Sequence, residues 1–341
     1  MTGFDEQITS FEIVSHPDWF DYDLKVTLKP TFKCNHRCWF CNEYDNSTQS
    51  WTLEQCDEVL QKLKQIPQSK KRIFFYFYGG EPTLSKHWEY LNYRLVEIFH
   101  DRELFIQTHT NFSLSPERLS IFLKNMTSLK ADAHTLDVCN SYHIGKQSVD
   151  DYIEKMDICD QYGALGFCFF STELPKKQQM LGEFFKIAQA YPHKLKVKFT
   201  EIHNLTQLNL AEYREYLNDE YLAGDDNGKS LEFRYWLKYH PELKQYFEDG
   251  WYFNINDKTV LNYCEVKGHN IHKKFKFMKC ACGTQNMVID HDLKVYHCND
   301  DFYNNINVSH LKDVDMNSYL NKDVRCLNSA CYDGLDHKKT L

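Results

Sequence analysis

Long apolar runs are missing from this sequence. No stretch approaches the roughly twenty apolar residues that a membrane-spanning helix needs, and residues 1–23 are polar, without the apolar core of a secretory signal. Internal repeats and low-complexity segments are also missing. We therefore expect a soluble, cytoplasmic protein with no membrane partner.

A basic surface is lacking as well. The formal net charge is −8, and the basic residues stand singly or in short runs such as residues 273–276. Binding to a phosphate backbone needs a basic face, so nucleic acid is disfavoured as the main partner. A local basic patch that meets an acidic peptide stays compatible with this charge.

Cysteine is plentiful, with thirteen residues in the chain. An odd number without a secretory signal argues against a disulfide framework and for metal ligation in a reducing compartment. Three cysteines lie between residues 34 and 41. Six more lie near the C-terminus: Cys264, Cys280, Cys282, Cys298, Cys326 and Cys331. The remaining four are predicted to be small apolar fillers of the core.

The first cysteine group has the spacing C-x3-C-x2-C, at Cys34, Cys38 and Cys41. It is one thiol short of the four that close a cubane iron–sulfur cluster. Three protein ligands leave one metal position open, which is typical of chemical rather than structural sites. Zinc is the alternative, and because structural zinc needs a fourth thiol or imidazole, His36 within the loop is its nearby candidate ligand.

A second motif, Gly79-Gly80-Glu81-Pro82, follows the apolar run at residues 73–78, which predicts a buried parallel strand. Two glycines allow main chain to pass close to a ligand, and Glu81 can accept hydrogen bonds from an ammonium group. An ordinary strand-to-helix turn is the alternative. The cysteine loop upstream favours one joint site for the two motifs.

Together the two motifs resemble the radical S-adenosylmethionine (SAM) superfamily. The resemblance implies a [4Fe-4S] cluster held by Cys34, Cys38 and Cys41, whose fourth iron binds SAM, with Phe40 at the family's aromatic position. It also implies that the turn Gly79-Gly80-Glu81 binds the amino group of the methionyl moiety.

Strand-like and helix-like segments alternate after residue 23. The predicted strands cover residues 24–28, 73–78, 104–108, 129–133, 166–170 and 195–200. The predicted helices cover residues 53–66, 85–100, 115–126, 149–162 and 178–191. Six strands that alternate with five helices predict an α/β fold with a parallel sheet, either doubly wound or an open barrel. Both motifs follow strand C-termini, and the resemblance implies a partial (β/α)6 TIM-type barrel.

The C-terminal cysteines surround a predicted β-hairpin with strands at residues 288–289 and 294–296. This part resembles the twitch or SPASM extension of radical SAM enzymes, which implies one auxiliary [4Fe-4S] cluster. Its implied ligands are Cys280, Cys298, Cys326 and Cys331, with Cys282 as the alternative to Cys280. Zinc is the alternative metal. Leu293 stands where the family hairpin has a glycine, so the turn must be built differently.

We predict four parts of the chain. They are an N-terminal extension at residues 1–22, the radical SAM partial barrel at 23–205, a helical bridging segment at 206–262, and the twitch/SPASM-like domain at 263–341.

Three further side chains are expected near the cofactor or the substrate because of their places at predicted strand ends. Asn111 follows the third predicted strand and His134 ends the fourth. Cys139, in a polar loop after the fourth strand, is a candidate hydrogen-atom donor. The alternative for each is an ordinary loop or core residue.

The resemblance implies reductive cleavage of SAM to a 5′-deoxyadenosyl radical that takes a hydrogen atom from the substrate. Oxidative modification of a ribosomally made peptide is the leading hypothesis, and dehydrogenation of a sugar or aminocyclitol is the alternative. An external one-electron donor of the flavodoxin or ferredoxin type is implied. A separate leader-binding protein would serve a peptide substrate. A hypothesis from another class is a non-catalytic iron–sulfur or zinc redox or binding module.

Overall fold

The computed structural model describes residues 10–15, 22–38, 41, 49–171, 176–198, 239–246, 252–256, 259–262, 278–322, 324–327 and 339–340. The strands are β1 (Ser10–Ser15), β2 (Leu24–Leu28), β3 (Arg72–Phe77), β4 (Glu103–Thr110), β5 (His134–Tyr142), β6 (Leu165–Ser171), β7 (Leu195–Lys198), β8 (Tyr252–Ile255), β9 (Thr259–Asn262), β10 (Lys279–Cys280), β11 (Asn286–Ile289), β12 (Lys294–Tyr296), β13 (Ser309–His310), β14 (Val324–Arg325) and β15 (Lys339–Thr340). The α-helices are α1 (Leu53–Leu63), α2 (Trp88–Ile98), α3 (Pro116–Leu129), α4 (Val149–Gln161), α5 (Lys177–Ala190), α6 (Cys282–Gln285), α7 (Asn299–Asn304) and α8 (Met316–Tyr319).

The larger sheet has the strand order β13-β12-β11-β2-β3-β4-β5-β6-β7. Strands β2 to β7 are parallel to their neighbours in chain order, and helices α1 to α5 connect them. Among the described residues the sheet stays open, with β13 and β7 at its edges. This is the α/β partial barrel that the sequence predicted.

Helix starts are fixed by local capping. The Thr52 side chain accepts the N–H of Gln55, whose side chain accepts the N–H of Thr52 in return, forming a capping box at the start of α1. Ser115 caps α3 in the same position, and Pro116 occupies its first turn. Within the described residues no helix is both long and apolar enough to cross a membrane.

The two faces of the barrel strands differ in chemistry. Residues such as Val26, Phe75 and Ile106 are buried against the helices and form the main core, where each contributes about 1.5–3 kcal/mol of transfer free energy. The residues between them point to the other side, into what we call the lumen. This face carries polar and aromatic side chains: Lys25, Lys29, Tyr76, Tyr78, Gln107, His109, Asp137, Cys139 and Phe169. A lumen of this composition is suited to a polar ligand.

The predicted position of the fourth barrel strand, residues 129–133, is wrong. Helix α3 continues to Leu129 and the strand β5 begins at His134. Asp137 interrupts the apolar pattern of β5 because it faces the lumen, whereas Leu136 and Val138 face the helices. The interruption concealed the strand in the sequence.

The smaller sheet draws its strands from both ends of the chain, in the order β14-β10-β15-β1-β8-β9. The predicted N-terminal extension supplies β1. Residues 252–255 and 259–262, predicted to belong to a helical segment, form the antiparallel strand pair β8–β9 instead. Residues 206–238 and 263–277 lie outside the described residues, so the four-part division stays a prediction.

The predicted C-terminal hairpin is present as β11 and β12. Its turn places Leu293 at a φ of +58°. The Asp290 side chain accepts the N–H groups of Asp292 and Lys294, both at 2.9 Å. This side chain stabilises the left-handed turn where a glycine was absent.

The position of the hairpin was not expected from the sequence. Strand β11 lies parallel beside β2 and extends the barrel sheet, and the N–H of Lys29 donates to the carbonyl of Ile289 at 2.9 Å. The strand that leads into the cysteine loop is therefore flanked on one side by the C-terminal part of the chain.

Candidate functional site

The cysteine loop and the Gly-Gly-Glu-Pro turn are joined by backbone hydrogen bonds. The N–H of Gly80 donates to the carbonyl of Thr31 at 3.0 Å, and the N–H of Glu81 donates to the carbonyl of Lys33 at 2.8 Å. These bonds continue the β2–β3 pairing beyond the ends of the strands. The two motifs therefore form one rigid unit at the carboxyl edge of the sheet.

The glycines of the turn are required by this contact. A Cβ on Gly80 would lie 2.5 Å from the backbone of Phe32, and a Cβ on Gly79, whose φ is +122°, would lie 2.8 Å from the carbonyl oxygen of Thr31. From the sequence, we interpreted the two glycines as allowing the main chain to pass close to a ligand. The structure shows that the cysteine loop itself makes the close approach.

Glu81 ties the turn to the end of β4. The residue is 1% exposed, and its carboxylate accepts the N–H and hydroxyl of Thr83, the hydroxyl of Thr110 at 2.7 Å and the N–H of Asn111 at 2.7 Å. Burial raises the pKa of Glu81, while these four donors act in the opposite direction. From the sequence, we expected this carboxylate to accept hydrogen bonds from an ammonium group. In the structure it accepts them from donors of the protein itself.

Cys34 faces N–H donors. The side-chain amide of Asn111 lies 3.7 Å from its sulfur and also donates to Asn35 Oδ1 at 3.0 Å, and the N–H of His36 donates to the same sulfur at 3.4 Å. Burial raises the pKa of Cys34. A bound metal cation would favour the thiolate at this position, and N–H···S bonds are usual around cluster thiolates.

Cys38 lies beside two imidazoles. Its sulfur is 3.6 Å from Nδ1 of His143, and one ligand atom each from His36, Cys38 and His143 lies within 4.8 Å of the other two. Burial and the charge of Lys146 lower the pKa of His36, which favours the neutral ligand form. One thiol and two imidazoles also suit zinc, so this set keeps the zinc alternative open.

The third thiol closes the loop. The N–H of Cys41 donates to the carbonyl of Cys38 at 3.1 Å, which holds the backbones of these two cysteines together. Phe40, the predicted aromatic residue of the loop, lies outside the described residues.

A hydrogen-bonded chain crosses the lumen. The Tyr76 hydroxyl lies 3.1 Å from His109 Nδ1, and His109 Nε2 lies 2.7 Å from the Ser141 hydroxyl. The His109 ring is stacked on Phe169 at a centroid distance of 5.4 Å. These side chains come from four neighbouring strands, and only their strand parity would have indicated from the sequence that they share a face.

Cys139 lies within β5, so the predicted loop position is wrong. Its thiol is 2% exposed and donates to Asp137 Oδ2 at 3.3 Å, and the same oxygen accepts from Gln107. Burial raises the pKa of Cys139 well above its ordinary value. The group therefore stays a thiol, the form that can give a hydrogen atom, and that role stays a prediction.

His134 does not lie at the site. It begins β5 rather than ending the strand, which places it at the edge of the sheet opposite to the cysteine loop. Its Nδ1 accepts the N–H of Ala131 at 3.3 Å. The predicted contact with the cofactor is wrong because the strand was assigned too early in the sequence.

The structure gathers a second group of thiols near the C-terminus. Cys282 is hydrogen-bonded to Cys280 and Cys298, and these contacts, together with burial, raise its pKa. Cys280 and Cys282 were expected to be alternative ligands, but the structure places both thiols in the same group. Cys326 is buried directly after β14, the strand paired with β10. Cys331 lies outside the described residues.

Helix α7 connects the two thiol groups. Cys298 caps its start, and the Cys298 sulfur accepts the N–H of Asp301 at 3.4 Å. Phe302 is stacked on Phe32 of the cysteine loop at 5.9 Å, and Lys29 Nζ lies 3.8 Å from the centre of its ring. The C-terminal part therefore packs against the loop that carries the first thiols.

Comparison with known proteins assigns the class of this site. Residues 28–177, somewhat less than half of the chain, match the family model described as the Radical SAM superfamily, so this segment is similar to a radical SAM domain. It includes the cysteine loop, the glycine turn, Asn111 and His143. Members of this family use a [4Fe-4S] cluster and SAM. No curated protein matches the sequence.

Solved structures show the same fold. The chain is similar to native anSMEcpe with bound AdoMet, with a TM-score of 0.55, 15% identity, and coverage of 88% of this chain and 80% of the other. It is also similar to native anSMEcpe with bound AdoMet and Cp18Cys peptide, with a TM-score of 0.52, 14% identity, and the same coverage. The likeness extends well beyond the matched domain.

Proposed function

We propose that this protein is a radical SAM enzyme that cleaves SAM reductively and removes a hydrogen atom from a peptide, as a step in oxidative modification of that peptide. One observation carries the proposal. The backbone bonds of Gly80 and Glu81 to the cysteine loop set three thiols at the mouth of a partial barrel whose lumen is polar.

The residues of the cysteine loop fit an iron–sulfur cluster. Cys34, Cys38 and Cys41 would hold it, and the N–H of His36 and the amide of Asn111 already point at the Cys34 sulfur. When bound, the cluster supplies the electron that cleaves SAM into methionine and a 5′-deoxyadenosyl radical. The chain itself provides hydrogen bonds that stabilise thiolate charge.

The turn and the end of β4 would bind SAM. Glu81 is occupied by Thr83, Thr110 and Asn111, so its function is to hold the backbone of Gly79 and Gly80 in place. Backbone carbonyls are then the acceptors for the ammonium group of the methionyl moiety. Phe40 stays a proposed contact at the family's aromatic position.

The lumen would receive the reacting part of the substrate. The chain from Tyr76 through His109 to Ser141 offers donors and acceptors for a polar backbone, and Phe169 and Tyr78 offer apolar surface beside it. Cys139 is the proposed hydrogen-atom donor on the same face. Enclosure of these groups by parallel strands keeps the positions of the side chains fixed.

A peptide is the proposed substrate. The support is the similarity in fold to a structure that contains a Cp18Cys peptide together with AdoMet. The alternative, dehydrogenation of a sugar or aminocyclitol, uses the same lumen. An external one-electron donor of the flavodoxin or ferredoxin type and a separate leader-binding protein belong to the peptide hypothesis.

The second thiol group would hold one auxiliary cluster or a zinc ion. Cys280, Cys282 and Cys298 lie together, and Cys326 directly follows β14, the strand paired with β10. Cys331 completes the proposed set. A cluster here would accept the electron left on an oxidised substrate, whereas zinc would only stabilise the fold.

Formation of 5′-deoxyadenosine tests the proposal. The wild-type chain, reconstituted anaerobically with iron and sulfide and reduced with dithionite, is expected to form 5′-deoxyadenosine from SAM. The triple variant Cys34→Ala, Cys38→Ala, Cys41→Ala should form none. Cys56→Ala, which removes a buried core thiol of α1, is the control and should keep the activity.

Product formation from the triple variant, or none from the wild type, would contradict the proposal and favour a redox or binding module. The substrate class is tested with the same preparation. Mass loss in a candidate peptide supports the peptide hypothesis, and mass loss only in an amino sugar supports the alternative.

A further inference from the structure

An open cleft of about 440 Å³ lies at the C-terminal part of the chain, outside residues 28–177. Its walls come from the end of β12, the loop after α7, and the paired strands β10 and β14. It is lined by Lys279, His297, Asn307, Lys322, Val324, Arg325 and Leu327. A volume of this size is in the range of pockets that bind small organic molecules.

The lining carries positive charge in a protein whose net charge is negative. Lys279 and Arg325 are directly opposite each other on β10 and β14, so both side chains leave the same face of the sheet. Lys322 adds a third cation, and none of the described lining residues carries a carboxylate, although Asn307 donates to Asp301 Oδ2 behind the wall at 3.0 Å. The local field therefore favours an anion in the cleft.

His297 gives the cleft a buried polar atom. The residue is 2% exposed, and its ring is stacked on Tyr319 at a centroid distance of 4.2 Å, which fixes its orientation. Within the described part of the chain its Nδ1 has no hydrogen-bond partner. Buried polar atoms normally have a partner, so this nitrogen is a hydrogen-bonding group of the cleft lining that the described residues leave unused.

Val324 and Leu327 add apolar wall to the same cleft. A bare inorganic ion would leave this wall in contact with water. An organic anion would cover the wall with its carbon skeleton while its charged group meets the cations.

We propose that this cleft binds a small organic anion, whose carboxylate or phosphate oxygen accepts hydrogen bonds from His297 Nδ1 and from the side chains of Lys322 and Arg325. The site is distinct from the proposed SAM site. An occupant would lie one residue away from Cys298.

Calorimetric titration of the full chain tests the proposal. Succinate and ribose 5-phosphate separate the carboxylate and phosphate sources, inorganic phosphate tests a bare ion, and sodium chloride at equal ionic strength controls for screening. We expect saturable binding of one organic anion at one site per chain, tighter than that of inorganic phosphate. It should also raise the melting temperature.

Matched variants locate the site. The double variant Lys322→Gln, Arg325→Gln should weaken binding by about tenfold or more for each charge-assisted hydrogen bond that it removes. Lys322→Arg with Arg325→Lys keeps the charge and should retain most of the affinity. Lys124→Gln removes an exposed lysine of α3 and should have no effect. His297→Phe keeps the stacking on Tyr319 and should weaken binding.

The proposal is overturned if no organic anion binds saturably, or if the double variant binds as tightly as the wild type while its circular dichroism is unchanged. Equal binding of inorganic phosphate and both organic anions would also contradict it, because the apolar wall would then contribute nothing. Should the double variant fail to fold, His297→Phe and the charge-preserving variant decide the outcome.

Discussion

The carboxylate of Glu81 accepts the backbone N–H of Asn111 at 2.7 Å, and the Asn111 side chain in turn lies 3.7 Å from the sulfur of Cys34. A buried acid on the glycine turn therefore positions an amide that contacts a candidate cluster ligand. The place of this amide beside the cysteine loop depends on the Glu81 carboxylate.

Replacing Glu81 by Gln tests this dependence. Gln puts an amide NH2 where one carboxylate oxygen accepts a donor, and hydrogen bonds to a charged group are worth about 1.5–3 kcal/mol. We expect the free energy of unfolding to fall by about that amount, measured by urea denaturation, and SAM to bind more weakly. Glu154→Gln, at an exposed position of α4, should change the free energy of unfolding by less than about 0.5 kcal/mol. Equal effects of the two variants on the free energy of unfolding would show that the hydrogen bonds of the Glu81 carboxylate do not stabilise the site.

Two glycine variants compare a crowded position with an open one. Gly80→Ala places a Cβ 2.5 Å from the backbone of Phe32, and we expect a loss of about 1–3 kcal/mol in stability from the forced shift. Gly182→Ala has no neighbour within 4 Å, and lies inside α5. It should gain about 0.5–1 kcal/mol because alanine restricts the unfolded chain. Thermal denaturation measures both, and stabilisation by Gly80→Ala would contradict the structure.

His134 should make stability depend on pH. Burial lowers its pKa below the ordinary 6.5, so below pH 6.5 the unfolded chain binds a proton that the folded chain resists. The contribution of neutral His134 to the free energy of unfolding is fully present above pH 6.5. It is lost as the pH falls toward the depressed pKa of the folded state. The free energy of unfolding, measured by urea denaturation at each pH, should fall less steeply with decreasing pH in this range for His134→Gln than for the wild type. SAM binding should be unchanged in the variant, since His134 lies at the opposite edge of the sheet.

Metal analysis distinguishes the two thiol groups. Two cubane clusters give about eight irons per chain, and one cluster with zinc gives about four irons and one zinc. The triple variant Cys280→Ser, Cys282→Ser, Cys298→Ser should lose only the second metal and still form 5′-deoxyadenosine. Loss of iron from both sites in this variant would mean that the two groups do not bind metal independently.

Much of the barrel was readable from the sequence because its signals are local. The capping residues Thr52 and Ser115 mark helix starts, and the apolar run of β3 marks a strand. The fourth strand was misplaced because Asp137 faces the lumen and breaks the apolar pattern. A strand with one polar face inside a barrel gives an ambiguous pattern.

The site was readable only in part. The cysteine and glycine motifs are contiguous, so the sequence located both. His143 approaches Cys38 across 105 residues of chain, and the pairing of β11 with β2 depends on backbone groups that every residue has. Cys280 and Cys282 were expected to compete, because their spacing alone did not show that a short helix turn brings both to Cys298.

The pairing of β11 with β2 also bears on biosynthesis. Strand β2 is made before the other parallel strands of the barrel sheet, but its neighbour β11 is made only after β3 to β7. Contacts of such long sequence separation form late and slowly. The cysteine loop should therefore acquire its final surroundings only after β11 has been made and has paired with β2, and an iron atom delivered earlier would meet an incomplete sheet edge.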